Sequence, residues 1–387
     1  MKRRKVLVIT GARAEYDILF PVMKAINEHP RLQLGVVVTG AHLSKKYGYT
    51  LKNIERDGFP IEAKIKNFRS SQRDVDRVKG LAIQLFGLCK IFAKRTPDFL
   101  LVAGDREEAM NAGLLGQYMN IAVAHISGGD RAVGNADDQV RHAVTKLAHV
   151  HFATNVKSAE RISKMGEQKF RIFNVGNPGL DRLRDVPKIP KRTLLKYYGF
   201  GERDVNEPLL LVIQHPLSTE IDSSYSHIKK TMEAIKSLKI NTIVNYPNSD
   251  PGSQAIVRCI EEYKNVPFIK IVRNIPRPEF VNVLRCIDCL IGNSSAGILE
   301  APFLGLPVIN VGNRQKKRMH AENVQFVPHN TIQILSAVSK AVFDERYRAF
   351  IRKCSNPYGG GHSGKRIAHI LATITIDKKL LIKDLTY

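Results

Sequence analysis

The chain has no apolar run longer than a strand. Stretches such as Val6-Leu7-Val8-Ile9 and Leu209–Ile213 end after four or five residues, whereas a helix crossing a bilayer needs about 20. No membrane span is expected. No signal peptide is expected either, because the basic opening Met1-Lys2-Arg3-Arg4-Lys5 leads into an apolar run that stops at Ile9 and turns into Thr10-Gly11-Ala12-Arg13, with no cleavage site. The reading is a cytoplasmic chain that starts on a strand. Low-complexity tracts are lacking as well, and apolar runs recur along the whole length, which excludes general disorder. Cysteine is sparse: Cys89, Cys259, Cys286, Cys289 and Cys354 are odd in number and scattered, as in a protein of a reducing compartment that needs no staples. The spacing Cys286-x-x-Cys289 has no second pair to complete a zinc ribbon and does not open a helix, so it reads as core.

Acidic residues are also in short supply. Sixty Lys and Arg face 36 Asp and Glu, for a net charge of +24. That excess is what a nucleic-acid binder often shows. Yet the bases are dispersed, with short clusters such as Arg314 to Arg318 and no long basic arm, zinc-finger spacing or aromatic pattern for stacking bases. A specific nucleic-acid partner is not expected. The remaining readings are a solvated basic surface and a field that attracts a small polyanion.

At 387 residues with 43% hydrophobic content, the chain exceeds what one core usually holds and predicts two domains. Short β-branched runs at 5–10, 34–39, 99–103, 121–126 and 151–154 alternate with helical patterns at 18–28, 51–56, 77–94, 107–118, 136–148 and 158–165. Pro and Gly break the pattern between Gly176 and Pro190. It resumes with strands at 209–213, 241–245, 268–271, 289–291 and 308–311 and helices at 226–238, 253–263, 278–286 and 296–304. Helices follow at 331–343, 344–353 and 365–373, and the polar tail after Ile376 shows no pattern. This alternation predicts an α/β protein of two Rossmann-like domains, 1–185 and 186–364, with 365–387 packing back on the first. Open parallel sheets hold ligands at the carboxyl ends of their strands, here facing a shared cleft.

Several strands end in small residues followed by a charged one: Gly11-Ala12-Arg13, Gly104-Asp105-Arg106, Gly128-Gly129-Asp130, Gln214-His215 and Gly292-Asn293-Ser294-Ser295. The last of these continues to Ala296-Gly297 and opens a helix, where N–H groups and hydroxyls suit a diphosphate. An ordinary Ser cap has the same spelling. Glu300, on the same helix, is placed to accept from ribose hydroxyls. Arg13, Arg106 and Arg314 can add charge-assisted bonds to phosphates, and His215 is placed to meet phosphate from the second domain.

The stretch from Asp105 to His149 concentrates proton-transfer chemistry: Asp105, Arg106, His125, Asp130, Asp137, Asp138, Arg141, His142, Lys146 and His149. Carboxylates beside Arg and His have their proton affinities pushed apart. One of Asp137 and Asp138 also suits a plain helix N-terminus. No metal is expected, because His142 and His149 lie seven residues apart and no carboxylate completes a helical ligand set. Gly359 to Lys365 spells G-x-x-x-x-G-K, but Arg366 stands where a Ser or Thr would hold magnesium and no strand leads in.

Six segments together resemble the UDP-N-acetylglucosamine 2-epimerases, and more closely their hydrolysing branch, over nearly the whole chain. They are Gly11 to Tyr16, Gly104-Asp105-Arg106, His125 to Asp130, Asp137 to His149, Gly176-Asn177-Pro178-Gly179, and Gly292 to Pro302. The resemblance implies GT-B architecture, no cofactor, a homodimer or homotetramer, and a UDP-N-acetylhexosamine substrate. By resemblance, Arg13, His215, Ser294 and Ser295 bind the diphosphate, Glu300 the ribose and Phe280 the uracil, with Asn248, Asn293, Gly297 and Arg314 in the same substrate set. Asp105, Asp137, Arg141 and His142 match positions near the sugar. The implied reaction removes the C2 proton, eliminates UDP and hydrates the glycal with inversion at C2, giving N-acetylmannosamine or a related amino sugar for sialic-acid-type products. Hydrolysing members usually carry a carboxylate where this chain has Ser127, and there is one extra residue between Gly129 and Asp137. Serine does not transfer the proton unaided. Either Asp130 or Asp105 does so, or the sugar differs, for instance a diacetamido-trideoxyhexose, or activity is reduced. A non-hydrolysing epimerase or a GT-B glycosyltransferase would share the nucleotide site.

Overall fold

A strand covered by helices on both faces has no solvent side, so it loses alternation and becomes continuously apolar. That is the texture of β1 (Arg4–Thr10), whose last five residues are all buried. In the computed structural model, which describes residues 3–45, 48–67, 74–94, 96–131, 137–248 and 250–387, the chain divides into two units. One comprises Met1–Arg182 with Tyr358–Tyr387, the other Leu183–Pro357.

The first unit continues with α1 (Arg13–Glu28), β2 (Leu32–Thr39), α2 (Leu51–Arg56), β3 (Ile61–Ile65), α3 (Asp74–Phe92), β4 (Phe99–Ala103), α4 (Glu107–Met119) and β5 (Ala122–Ile126). It proceeds through α5 (Asp137–Leu147), β6 (Val150–Ala153), α6 (Val156–Lys164) and β7 (Ile172–Asn174). The seven strands run in the order β3-β2-β1-β4-β5-β6-β7, every pair parallel. One face of the sheet carries Leu19, Val22, Met23 and Ile26 of α1, and the other carries Leu88, Phe92, Ala112 and Val144.

After α7 (Asp181–Asp185) come α8 (Lys191–Tyr197), β8 (Leu209–Ile213), α9 (Ser224–Leu238), β9 (Asn241–Asn245), α10 (Ser253–Glu261), β10 (Ile269–Val272), α11 (Arg277–Cys286) and β11 (Cys289–Gly292). Then follow α12 (Ala296–Leu299), β12 (Val308–Val311), β13 (Val324–Val327), α13 (Thr331–Phe343) and α14 (Glu345–Ile351). The second sheet is again parallel, in the order β10-β9-β8-β11-β12-β13. The chain then returns to the first unit as α15 (Ser363–Thr373), whose Ile367, Ala368 and Leu371 join the α1 face, and α16 (Lys378–Leu381).

The helix expected over 296–304 is interrupted. α12 stops at Leu299, and a 3-10 turn, Ala301–Leu304, follows, because Pro302 has no N–H to continue the ladder. The unforeseen β3, β7 and β13 all lie at sheet edges, where one side is half-wet and the apolar signal is diluted; β3 alternates half-buried and exposed residues before the buried Ile65. Cys289 is buried at the head of β11 and Cys286 half-buried at the end of α11, and burial pushes both thiols up. The G-x-x-x-x-G-K spelling leads into α15, whose first N–H groups, from Ser363 and Gly364, donate to the Asp181 carboxylate at 3.1 and 2.7 Å. Among the described residues, no helix is long and apolar enough to cross a membrane.

Gly292 closes β11 at φ +120°, and a Cβ there would meet the carbonyl oxygen of Ile213 on the neighbouring strand. Gly292→Ala is expected to lower unfolding stability by at least about 1–3 kcal/mol from the backbone alone. Gly360, where a Cβ meets nothing within 4 Å, serves as the control in the same urea titration and is expected to be neutral.

Candidate functional site

In each sheet the strand order reverses once, between β1 and β4 and between β8 and β11. Loops leaving the two strands on either side of such a reversal head in opposite directions and open a crevice at the carboxyl edge. The expected residues fall at these exits: Arg13 after β1, Asp105 and Arg106 after β4, His215 after β8, and Asn293, Ser294 and Ser295 after β11.

In the first unit, Arg141 on α5 is buried and donates to the carbonyl of Ser127 at 3.0 Å while ion-pairing with Asp105. One guanidinium thereby ties the β4 exit to the β5 exit. Ser127 has φ +64°, an uncommon conformation for a residue with a side chain. Asp130 takes hydroxyl bonds from Thr154 at 2.7 Å and Ser158 at 2.6 Å, both on its Oδ1. Asp138 faces Arg131 at 3.6 Å. His142 is lowered by burial despite Asp138, and its Nδ1 is buried with no partner among the described residues. The side chain of Asp137 lies outside the described residues. His125 is fully buried, with Nε2 against the carbonyl of Gly104 at 2.7 Å. A carbonyl only accepts, so Nε2 carries the proton, and burial drives the imidazole down to about 3. His125 therefore braces the turn before Asp105 as a neutral ring. Arg13 and Arg106 are exposed.

Beneath the β1 exit lie two carboxyl groups that the motif reading passed over. Glu15 accepts from the backbone N–H groups of Gly11 and Ala12, a helix-start pattern that its position three residues after Ala12 signals. Glu108 on α4 sits where a side chain at Gly11 would go. Burial raises both, and each adds to it through neighbouring negative charge: Glu108 on Glu15, and Glu107 on Glu108, which reaches about 7.

In the second unit, Asn293 is buried with its side chain fully engaged on the backbone of His215: Oδ1 accepts the His215 N–H at 2.7 Å, and Nδ2 donates to the His215 carbonyl at 2.9 Å. Its own carbonyl accepts from Arg314 at 3.2 Å and Gln315 at 3.0 Å. Asn293 thus holds the His215 backbone, Arg314 and Gln315 together at the β11 exit. The backbone N–H of Asn248 donates to His215 Nδ1 at 3.0 Å, which leaves the proton on Nε2. Burial, then Arg314, lowers His215 to about 4, so near neutrality it presents a neutral N–H donor beside a guanidinium. A small recess of about 10 Å³ is lined by His215, Asn293 and Arg314 together with His227 and His329. Glu300 is ion-paired with Arg277 at 2.8 Å, and Arg277 also lies over the Phe280 ring, 5.9 Å from its centroid. Gly297 is buried, and a Cβ there would meet Val308 at 2.7 Å, so its place reflects helix-to-strand packing. With α12 only four residues long, little dipole gathers at Ser294 and Ser295.

Of the two histidines weighed for a metal, His149 Nδ1 accepts from Val123 at 3.0 Å while His142 Nδ1 has no partner among the described residues; nearby, His151 Nε2 meets Glu167 at 3.0 Å. Glu220, His227 and His329 do bring ligand atoms within 4.8 Å of one another. The two rings are stacked at 3.6 Å and 3°, so their in-plane lone pairs do not converge on one ion.

A family model described as UDP-N-acetylglucosamine 2-epimerase matches residues 24–372. The chain is 34% identical to a UDP-N,N'-diacetylbacillosamine 2-epimerase (hydrolyzing) from Legionella pneumophila, over 99% of this chain and all of the relative. It is 29% identical to a GDP/UDP-N,N'-diacetylbacillosamine 2-epimerase (hydrolyzing) from Campylobacter jejuni, over 84% of each. Among solved structures, a putative UDP-N-acetylglucosamine 2-epimerase from Listeria monocytogenes superposes with TM-score 0.80 at 19% identity, covering 96% of both chains. The Neisseria meningitidis UDP-GlcNAc 2-epimerase bound to UDP-GlcNAc does so with TM-score 0.79 at 20% identity, covering 95% of this chain and 99% of that one. The shared fold is of GT-B type.

Two outcomes follow from this geometry. Asn293→Ala is expected to weaken uridine diphosphate binding about tenfold, roughly 1.4 kcal/mol, in a calorimetric titration, because the amide holds the His215 backbone. For Glu108, the folded-state affinity for a proton exceeds the unfolded one, so its contribution to stability is complete below about pH 4.5 and is lost as pH rises through about 7. Glu108→Gln is therefore expected to melt above the native chain at about pH 8 and no higher than it at about pH 5.

Proposed function

The chain belongs to the UDP-N-acetylglucosamine 2-epimerase family, and we propose that it acts in the hydrolysing branch, on a UDP-linked 2-acetamido hexose with a second acetamido group at C4. The observation that carries this choice is the end-to-end match to the hydrolysing Legionella enzyme. Ser127, standing where a carboxylate is usual in the branch, fits a substrate other than UDP-N-acetylglucosamine.

The proton at C2 is a poor acid, and its removal needs a fixed carboxylate and a stabilised leaving group. Asp105, oriented by Arg141, takes that proton. The C2–H electron pair forms the C1–C2 double bond, and the C1–O pair departs with UDP. The neutral Nε2–H of His215, the Arg314 guanidinium and the Ser294 and Ser295 hydroxyls receive the charge that grows on the diphosphate. These donors do not depend on protonation near neutral pH, because His215 titrates at about 4. Water then adds at C1, and C2 is reprotonated from the opposite face, with Asp130, held on Thr154 and Ser158, as the second proton-transfer group. Ser127 contributes its carbonyl, as the anchor of Arg141.

The test is turnover in deuterated water followed by proton NMR, with UDP-N,N'-diacetylbacillosamine and UDP-N-acetylglucosamine in parallel. The expected products are UDP and the free 2-epimeric diacetamido sugar with deuterium at C2. Asp105→Asn should lower kcat by about 10²–10⁴. A product still linked to UDP overturns the hydrolysing assignment, and equal or faster turnover of UDP-N-acetylglucosamine overturns the second acetamido group.

A further inference from the structure

The tail after α16 reaches the C-terminal end of the helix that carries Arg141. Lys383 Nζ donates to the carbonyls of Lys146 and Ala148, both at 2.6 Å, and of Thr145 at 3.4 Å. These include carbonyls at the end of α5 that have no helical partner. An ammonium there also meets the negative end of the helix dipole. The same Nζ lies 2.7 Å from Glu167 Oε2, and the Lys383 side chain is only 12% exposed.

Glu167 has a fully buried side chain and is shared by three partners: Lys383, Lys146 at 2.7 Å and His151 Nε2 at 3.0 Å. Burial would raise it, but His151 first, then the two lysines, hold it at about 2. Burial lowers Lys383 to about 8, so it remains an ammonium at neutral pH. Arg171, itself fully buried, fastens this tail by donating to the carbonyls of Lys379 at 2.6 Å, Ile382 at 2.9 Å and Leu380.

Two connections run from this hub toward Asp105. One is α5, which joins the carbonyls held by Lys383 to Arg141 within two turns. The other is lateral: His151 is the register partner of His125 across β5 and β6, and His125 Nε2 holds the carbonyl of Gly104, the residue before Asp105. Both members of the Arg141–Asp105 pair are thus braced from one buried ammonium and carboxylate.

We infer that Lys383 is a positioning residue for the proton-transfer site, setting the seat of α5 and, through Glu167 and His151, the turn that presents Asp105. This rests on the reading that Arg141 and Asp105 serve the reaction.

The experiment compares the full chain with Lys383→Met and Lys383→Arg, measuring amide hydrogen exchange over 137–149 without substrate and steady-state kinetics on the UDP sugar that the native chain turns over. Expected for Lys383→Met is exchange in α5 faster by about tenfold and kcat lower by about tenfold to a hundredfold, the scale of a small misplacement. KM should move by less than about twofold. Lys383→Arg, which keeps the charge, should recover most of both. Glu167→Gln gives the same comparison should the Met variant not fold. Unchanged exchange in α5 overturns the proposal, and so do faster exchange with native kcat and a loss in the Arg variant as deep as in the Met variant. Failure of the native chain to turn over any UDP-acetamido sugar would instead strike the assigned reaction, and the exchange measurement would still decide whether Lys383 seats α5.

Discussion

Parallel strands held between two helical layers all point their carboxyl ends the same way, and this constraint places the strand-exit residues. Val6 to Ile9, Phe99 to Ala103 and Leu209 to Ile213 are buried on both faces, so register is set by apolar packing and the residue after each strand is delivered to the carboxyl edge of its own sheet. Where the strand order reverses, loops diverge and leave room at that edge. Asp105, Ser127 and His215 need no chemistry of their own to reach it. They arrive there because the strands before them cannot face water.

Burial then sets the charge state of what has arrived. His125 and His215 are neutral rings whose N–H direction is fixed by a backbone partner, a carbonyl in one case and an N–H in the other. Permanent cations stand beside them, Arg141 in the first unit and Arg314 in the second. A site built from neutral donors and guanidiniums keeps its hydrogen-bonding pattern across the pH range where an exposed histidine would titrate. The carboxylates are treated differently. Asp105 and Asp130 are held by side-chain donors at strand exits, whereas Glu15 and Glu108 lie under the β1 loop with proton affinity raised by burial.

The long central strands and amphipathic helices were legible because both faces or one clear stripe are apolar, and the strand-exit motifs were legible because small residues precede charged ones there. Edge strands such as β3, with its alternating wet positions, were not. The helix at 296–304 misled because periodicity registers apolar spacing but not the N–H that Pro302 lacks. The resemblance named Asn293 in the substrate set but gave no sign that its amide pairs with the His215 backbone, 78 positions away. Glu15 carried a signal in its capping spacing. Glu108, Thr154 and Ser158 carried none, since their partners are 28 or fewer positions away in some cases and 97 in another only by the path of the fold. The tail after Ile376 looked featureless because most of what holds it runs through backbone carbonyls, which every residue has.

By itself the sequence determined the α/β class, the repeated parallel alternation, the family and the short list of strand-exit residues, because these depend on local periodicity and adjacent residue types. Only the tertiary structure decided which strand-exit residues are paired with other side chains and which hold a neighbour's backbone in place, which histidine nitrogen bears the proton, and that Lys383 sits at the end of α5. Those properties arise from groups brought together across tens to hundreds of positions, where burial and hydrogen bonding, not spacing, assign the role.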